Sequence, residues 1–456
     1  MTSFRKTASW AVAGLTGLSL VAGCGSDDAS EEAPSGPVSI TVAIDQGLQP
    51  EAIAAFDTQI AEFQKKYPDI KVKKEEYTWT APTFSARLAG GTLPTVFTTA
   101  FTDGRALIAR RQVADISGEV AKLPYAKSFN KNVIAAGQDQ AGKIEMVPIS
   151  AYGQGLHYNR ELFTKAGLDP DKPPTTWNEI RSYAKQIADK TGQAGYAVMT
   201  KGNTGGWILS TETNAFGGRM TVADGDKQKA TVNNPATVQA LQLIKDMRWT
   251  DKSMGANFIY DWNGINQAFA AGKIGMYLTG GGTYENLATQ NAIKPKTYGL
   301  TTVPLQGADA GVLGGGTLAG VSAKATKAEQ AAAVKWIDFF YMRKITTQEG
   351  SVDYAKAQAA AKQPIGSPLL PVFDKATYDQ VQTWIKSYVT VPLDQMTNYT
   401  ENAFNQPIVP EPPVATQDVY AALDPVVQSV LTNKNADITK LLTDANAKVQ
   451  SVLDKN

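Results

Sequence analysis

The sequence predicts an α/β protein on two observations. Apolar residues alternate in some stretches and recur every three or four positions in others, and the two kinds of stretch take turns along the chain. The first strand is "VSITVAI" (38–44), which puts Val38, Ile40, Val42 and Ile44 on one face. Pro50 then opens a helix whose apolar stripe runs through Ile53, Phe56, Ile60, Phe63 and Tyr67. Proline suits that first turn because its missing N–H has no intrahelical partner there. Pro68 stops the helix, and "IKVKKEEYTW" (70–79) resumes as a second strand. Strand, helix and strand in succession require a crossover and hence a parallel sheet. The alternation returns at "PTVFTTA" (94–100), "GLHYN" (155–159), "GYAVM" (195–199) and "KIGMYL" (273–278). Helical stretches such as Val238, Leu241, Ile244 and Met247 separate these strands. The proline-rich "PIVPEPP" (407–413) reads as a rigid connector. No internal repeat is visible. About 420 residues from Val38 onward exceed what one compact core holds, so two domains are expected.

Ahead of the first strand the composition changes. Arg5 and Lys6 precede an uncharged, largely apolar run, "SWAVAGLTGLSLV" (9–21), and then the small residues Ala22 and Gly23. That order matches a secretory signal, and the run is short for a bilayer span. Next comes Cys24, the only cysteine of the 456 residues, which excludes an internal disulfide. Val21-Ala22-Gly23-Cys24 resembles the bacterial lipobox, which implies cleavage before Cys24 and acylation of its thiol as a membrane anchor. "GSDDASEEAPSGP" (25–37) offers almost nothing to bury and reads as a disordered leash. The chain carries 44 basic and 43 acidic residues, and losing Arg5 and Lys6 leaves one acid in excess. Such a balance favours neither nucleic acid nor an anionic surface.

Signals for catalysis are weak. The single histidine, His157, lies in a strand and reads as a half-buried structural residue, with no cysteine nucleophile to partner it. One histidine and one cysteine leave no metal cluster of the usual spacing. "GGGT" (314–317) lacks the lysine of a phosphate-cradling loop. Carboxylates are plentiful enough for a hydrolytic pair. Aromatic residues in loops are more informative, since ligands of α/β sheets bind beyond the carboxyl ends of strands. Gln46 follows the first strand in "DQGLQ" (45–49), Trp79 follows the second, and "TTAFTD" (98–103) follows the third. Trp207 sits in "KGNTGGWIL" (201–209) and Trp262 in "YDWNG" (260–264). A sugar presents a C–H face that a ring can cover and hydroxyls that amide, hydroxyl and carboxylate groups can pair. Each tryptophan has core packing as its other reading, and Asp261 and Asn263 are placed to cap the helix that follows.

One long stretch, "GKIEMVPISAYGQGLHYNRELFTKAGLDPDKPPTTWNEI" (142–180), resembles the central signature of the family 1 extracellular solute-binding proteins. These are the sugar-binding lipoproteins of bacterial ABC importers, of the maltose-binding type. Four further stretches follow the family's order: 61–73, 86–117, 267–282 and 313–340. Each is loose alone; five in order are specific. The resemblance implies a two-lobed, periplasmic-binding-protein-like type II fold with discontinuous lobes joined by crossing hinge segments. It divides the chain into a signal (1–23), a lipidated cysteine with linker (24–37), a first lobe (38–148 with 311–348) and a second lobe (149–310 with 349–456).

Carried over by position, the resemblance puts Thr99, Thr102 and Asp103 on a ligand-touching loop, Trp207 against a sugar ring, and Tyr152 and Gln154 just past the first crossing. Gln46, Trp79, Trp262, Gly281 and Gly315 complete the candidate ligand-binding set. There are two departures. Thr95 replaces a usual aspartate, and Gly282 stands where the family commonly has a stacking tryptophan, so that Trp262, Trp79 or Tyr284 substitutes or the pocket takes a different ligand. The implied function is capture of a carbohydrate without chemistry, by a monomer without cofactor or metal, and delivery to a membrane permease with its cytoplasmic ATPase. A charged solute such as a phosphorylated polyol, met by Arg105 and Lys201, is the alternative; a tethered glycoside-processing enzyme is a third reading.

Overall fold

The computed structural model describes residues 37–455, apart from 49, 78–80 and 226. Cys24, the segment before it and nearly all of the leash lie outside the described residues, as does Trp79. The strands are β1 (Val38–Ile44), β2 (Ile70–Glu76), β3 (Val96–Ala100), β4 (Met146–Asn159), β5 (Ala194–Tyr196), β6 (Thr221–Asp224), β7 (Lys227–Ala230), β8 (Ile274–Gly280), β9 (Tyr298–Thr302), β10 (Val312–Val321) and β11 (Ile408–Pro410). β6 and β7 form a separate hairpin; the rest join in one sheet of order β2-β1-β3-β10-β4-β8-β5, with β9 on β4 and β11 on β10.

The opening of the chain folds as its pattern dictates. β1 alternates buried and less buried positions, and the Pro50–Lys66 helix places Phe56 and Phe63 in the core. β1 pairs in parallel with β2 and β3. The expected all-parallel sheet is not what forms, because β10 runs antiparallel to both β3 and β4, and β4 antiparallel to β8 and β9. The reason is that β4 and β10 are crossing strands rather than members of βαβ units. β4 spends Met146–Gly153 on β10 and then Gln154–Asn159 on β8 and β9. β10 spends Thr317–Val321 on β3 and Val312–Gly314 on β11. Two further expectations are corrected. The proline-rich connector supplies β11, where Pro410 is tolerated at the end of a three-residue edge strand. "GYAVM" keeps only Ala194–Tyr196 as strand, and 197–199 continue as buried irregular chain.

The fold is two-lobed, and its apolar residues form separate cores. One cluster joins Ile40, Val42, Phe56, Phe63, Val147, Val321 and Trp336, with Val372 and Phe373 added from far downstream. The largest joins Leu156, Phe163, Trp177, Ile244, Tyr277 and Leu300 to Val419, Val427 and Leu442 of the last two helices. His157 is wholly buried in this second core, not half-buried as its strand position suggested. Its Nδ1 lies 2.8 Å from the Tyr298 hydroxyl, and burial lowers its pKa to about 3, so it stays neutral. Asp261 does cap the Trp262–Ala270 helix, accepting the Gly264 N–H at 2.8 Å; Asn263 lies inside the first turn and does not. Among the described residues no helix is long and apolar enough to cross a membrane, and no three metal-ligating side chains converge.

Trp336 anchors the first core: its ring lies 5.2 Å from that of Phe63 and stacks on Phe340 at 5.1 Å. Trp336→Ala should therefore cost about 3–5 kcal/mol, by the lost burial and the cavity left behind. Urea unfolding followed by circular dichroism reads this directly, and a change within ±0.5 kcal/mol would show that the cluster is not what stabilises that lobe.

Candidate functional site

Four neighbouring strands bring several candidate residues together where β4 and β10 cross. In register, Thr99 of β3 faces Leu318 of β10, Gly315 of β10 faces Tyr152 of β4, and Gln154 of β4 faces Gly280 of β8. Gly315, Tyr152 and Gln154 thus share one face of the sheet, while Thr99, paired with Leu318, lies on the opposite face. Gly315 is required there by its neighbour: a Cβ at that position would lie 2.8 Å from the Tyr152 hydroxyl and 3.0 Å from its ring. Thr99 and Gln154 are buried, and among the described residues neither the Thr99 hydroxyl nor the Gln154 amide has a hydrogen-bond partner. Leaving such groups unpaired costs about 1–3 kcal/mol each.

The Tyr152 side chain leads out of the sheet into an aromatic and acidic cluster. Its ring meets Trp207 edge-on, with centroids 6.5 Å apart. Its hydroxyl donates to Glu411 Oε2 at 3.4 Å, and the Tyr420 hydroxyl donates to Oε1 of the same carboxylate at 3.0 Å. Burial is the main reason the Glu411 carboxyl is pushed up, with Asp103 adding repulsion and the two tyrosines opposing. Burial also raises Asp103, to about 6, and raises the hydroxyls of Tyr152 and Tyr420, beside which the Glu411 charge adds to the shift. Trp207 is held by an uncommonly close contact of two helices. Gly206 of the Thr204–Ala215 helix packs onto the backbone of Tyr420 so tightly that any Cβ would collide with it. Asp424, one turn further along the Thr416–Thr432 helix, accepts the N–H groups of Asn203 at 2.8 Å and Gly206 at 2.9 Å.

The other candidates are placed as follows. Thr102 and Asp103 are half-buried at the start of the Phe101–Ala109 helix, and Gln46 is exposed in the turn after β1. Trp262 is half-buried against the second core, and Tyr284 is buried within it. Gly281 is packed under the Tyr399 hydroxyl. At Gly282, where a ring is absent, a Cβ would run into Leu369, so that side chain borders the space. Lys201 is engaged by Asp261 at 3.4 Å. Glu411, Tyr420 and Asp424 escape a reading of the sequence, since Glu411 and Asp424 lie more than 200 residues from Tyr152 and Asn203, Tyr420 acts through Glu411, and Glu411 is set among prolines that read as a connector. A cavity of about 250 Å³ is lined by Ile149–Ala151 of β4, by Glu285 and by residues between Lys344 and Ile385, Leu369 among them; it includes neither Tyr152 nor Trp207.

Comparison with known proteins adds a family and a fold. A family described as bacterial extracellular solute-binding protein matches residues 58–347. The sn-glycerol-3-phosphate-binding periplasmic protein UgpB of Escherichia coli is 25% identical over 251 residues, 53% of this chain and 51% of that protein. Its counterpart in Pectobacterium atrosepticum is 31% identical over 116 residues, 24% of each chain. The chain thus aligns with about a quarter to a half of the length of these curated relatives. Among solved structures, the cyclic alpha-maltosyl-1,6-maltose binding protein of Arthrobacter globiformis superposes with a TM-score of 0.70 at 24% identity, over 92% of this chain and all of the other. UgpB of Mycobacterium tuberculosis, solved with glycerophosphocholine, superposes at 0.64 with 18% identity, over 92% and 99%.

The raised Asp103 gives this cluster a pH signature. The folded carboxyl (about 6) holds its proton more tightly than the ordinary one (3.8), so folding is favoured below that window and loses stability as pH rises through it. Asp103→Asn should remove this slope: the stability of wild type relative to the variant falls between about pH 4 and 6. Urea midpoints across that range measure it, and parallel curves would place the Asp103 carboxyl in an ordinary solvated setting.

Proposed function

Since the chain belongs to the bacterial extracellular solute-binding proteins, we propose that it is the carbohydrate receptor of an ABC importer, capturing a mono- or oligosaccharide outside the cytoplasm and passing it unaltered to the permease. The observation that carries this reading is the cluster beside the crossing strands. Trp207 and Tyr152 offer ring surface for a sugar's C–H face, while Gln154, Asp103 and Glu411 offer amide and carboxylate groups for its hydroxyls, with Thr99 on the opposite face of the sheet. The residues proposed to touch ligand come from both sides of the crossings, with Gln46, Trp79, Thr102, Trp262, Gly281 and Gly315 as the further positions. The lobes are taken as 38–148 with 311–348 and 149–310 with 349–456, and the two apolar clusters support the main division. Leu370, Val372 and Phe373 pack with first-lobe residues, so the segment after 349 acts as a bridge between them.

Closure follows from differential affinity. A ligand touching both lobes binds the closed form better and shifts the population toward it. A micromolar affinity corresponds to about −8 kcal/mol, within reach of one or two stacked rings and a few hydrogen bonds after ordering costs. Transport of this kind needs no catalytic group, and the receptor works as a monomer tethered to the outer face of the membrane through acylated Cys24. The second reading, a phosphorylated polyol, is favoured by the names of the curated relatives and is tested in the same assay.

Three outcomes are expected. Thermal shift against neutral sugars, sugar phosphates and glycerol 3-phosphate should select a saccharide, at saturating levels adding about 2.7 kcal/mol at 100 times the dissociation constant; selection of glycerol 3-phosphate alone would favour the second reading. Trp207→Ala should weaken saccharide binding roughly tenfold to a hundredfold with the fold retained, and unchanged affinity would remove Trp207 from the site. Cys24→Ser should move the protein from the membrane fraction to the soluble one, and retention on the membrane would count against acylation.

A further inference from the structure

The cluster around Tyr152 contains more negative charge than a neutral sugar needs. Glu411 lies half-buried between the Tyr152 and Tyr420 hydroxyls, and Asp103 is near enough to act on it through charge. Among the described residues neither carboxylate forms an ion pair, and no lysine or arginine acts on either. Arg105 is two residues from Asp103 on the same helix, a spacing that points side chains apart. Arg219 shares a cavity of about 110 Å³ with Glu411, but its guanidinium donates to the carbonyls of Gly218 and Asp309 at 2.6 and 2.8 Å. The remaining feature that attracts anions, the start of the Thr204–Ala215 helix beside Trp207, is already filled by the protein's own Asp424 carboxylate. A phosphate would therefore meet two carboxylates and no free donor cluster.

Resting on the carbohydrate reading above, we infer that the ligand is a polyhydroxylated molecule bearing a protonated amine, whose ammonium group sits between Asp103, Glu411 and the faces of Trp207 and Tyr152. Two uncompensated carboxylates attract a cation in a partly dehydrated site, where charge interactions are several times stronger than in water. Aromatic rings add to that attraction, because a cation over a ring face is stabilised by the quadrupole. The amine replaces the counter-ion that the protein does not supply, and the hydroxyls satisfy Gln154, two residues from Tyr152 on the same strand face. Specificity arises from both parts: a neutral sugar leaves the acid pair unrelieved, and an anionic one is repelled.

The test is a matched series measured by isothermal titration on the intact exported chain: glucose and maltose, their 2-amino and 6-amino derivatives, and their 6-phosphates. At least one amino derivative should bind about tenfold or more tightly than its neutral parent, with the phosphates weakest, and the preference should shrink as salt is raised. Glu411→Gln and Asp103→Asn, each checked for an unchanged circular dichroism spectrum, should bring the ratio of amino to neutral affinity to within about twofold to threefold of unity. Equal binding of amino and neutral sugars overturns this inference and leaves the carbohydrate reading standing. Tighter binding of a phosphate overturns it too and favours the phosphorylated-polyol reading, while binding of no saccharide overturns both. A wild-type ratio that survives in both variants removes the acid pair as its source.

Discussion

Everything in this fold hangs on the antiparallel pairing of β4 with β10. Each strand is long enough to serve two lobes, and over Met146–Gly153 and Gly314–Gly320 they hydrogen-bond to each other. The backbone between the lobes is thereby neither a flexible linker nor a rigid slab. It is a two-stranded ribbon whose register slips by one residue between Thr317 and Leu318, opposite Ser150 and Pro148. Such a bulge locally breaks the ladder and concentrates twist. The glycines of β10 keep this ribbon thin, and at Gly315 the missing side chain is what leaves room for Tyr152.

From that ribbon the site follows. Tyr152 projects from β4 at the first crossing, and its hydroxyl is met by a carboxylate from beside β11, a strand that exists only because β10 offers it an edge. The same segment leads into the Thr416–Thr432 helix, which brings Tyr420 to Glu411 and Asp424 to the helix start below Trp207. The aromatic and acidic cluster is thus assembled from four distant parts of the chain, near positions 103, 152, 207 and 411–424. A receptor benefits from such assembly, since groups drawn from separate elements change their mutual geometry when the lobes move, and a ligand that touches them couples its binding to that motion.

The buried polar groups divide into two kinds by what surrounds them. His157, locked against Tyr298 and kept neutral by burial, is a core residue that happens to titrate. Glu212 is similar: wholly buried, it accepts the Tyr196 hydroxyl at 2.9 Å, and burial raises its carboxyl to about 8. Glu411 and Asp103, by contrast, are half-buried near Tyr152, Tyr420 and Trp207. In both settings loss of solvent raises a carboxyl. Only the second is partly exposed to solvent.

The α/β class, the first strand, the helix from Pro50 and the Asp261 cap were legible in the sequence because each depends on residues within one or two turns of one another. Motif order made the two-lobed fold and the family legible as well. The antiparallel centre was not, since strand direction is set by which distant partner a strand finds, and alternation reads the same either way. For the same reason Thr99, Tyr152 and Trp207 could be marked singly, while Glu411 and Asp424 stayed hidden behind separations of more than 200 residues, and Tyr420 behind Glu411. Local periodicity fixed what each segment becomes; only the tertiary pairing of β4, β10 and β11 decided which carboxylate meets the Tyr152 hydroxyl, because charge and burial belong to positions in space and not to positions along the chain.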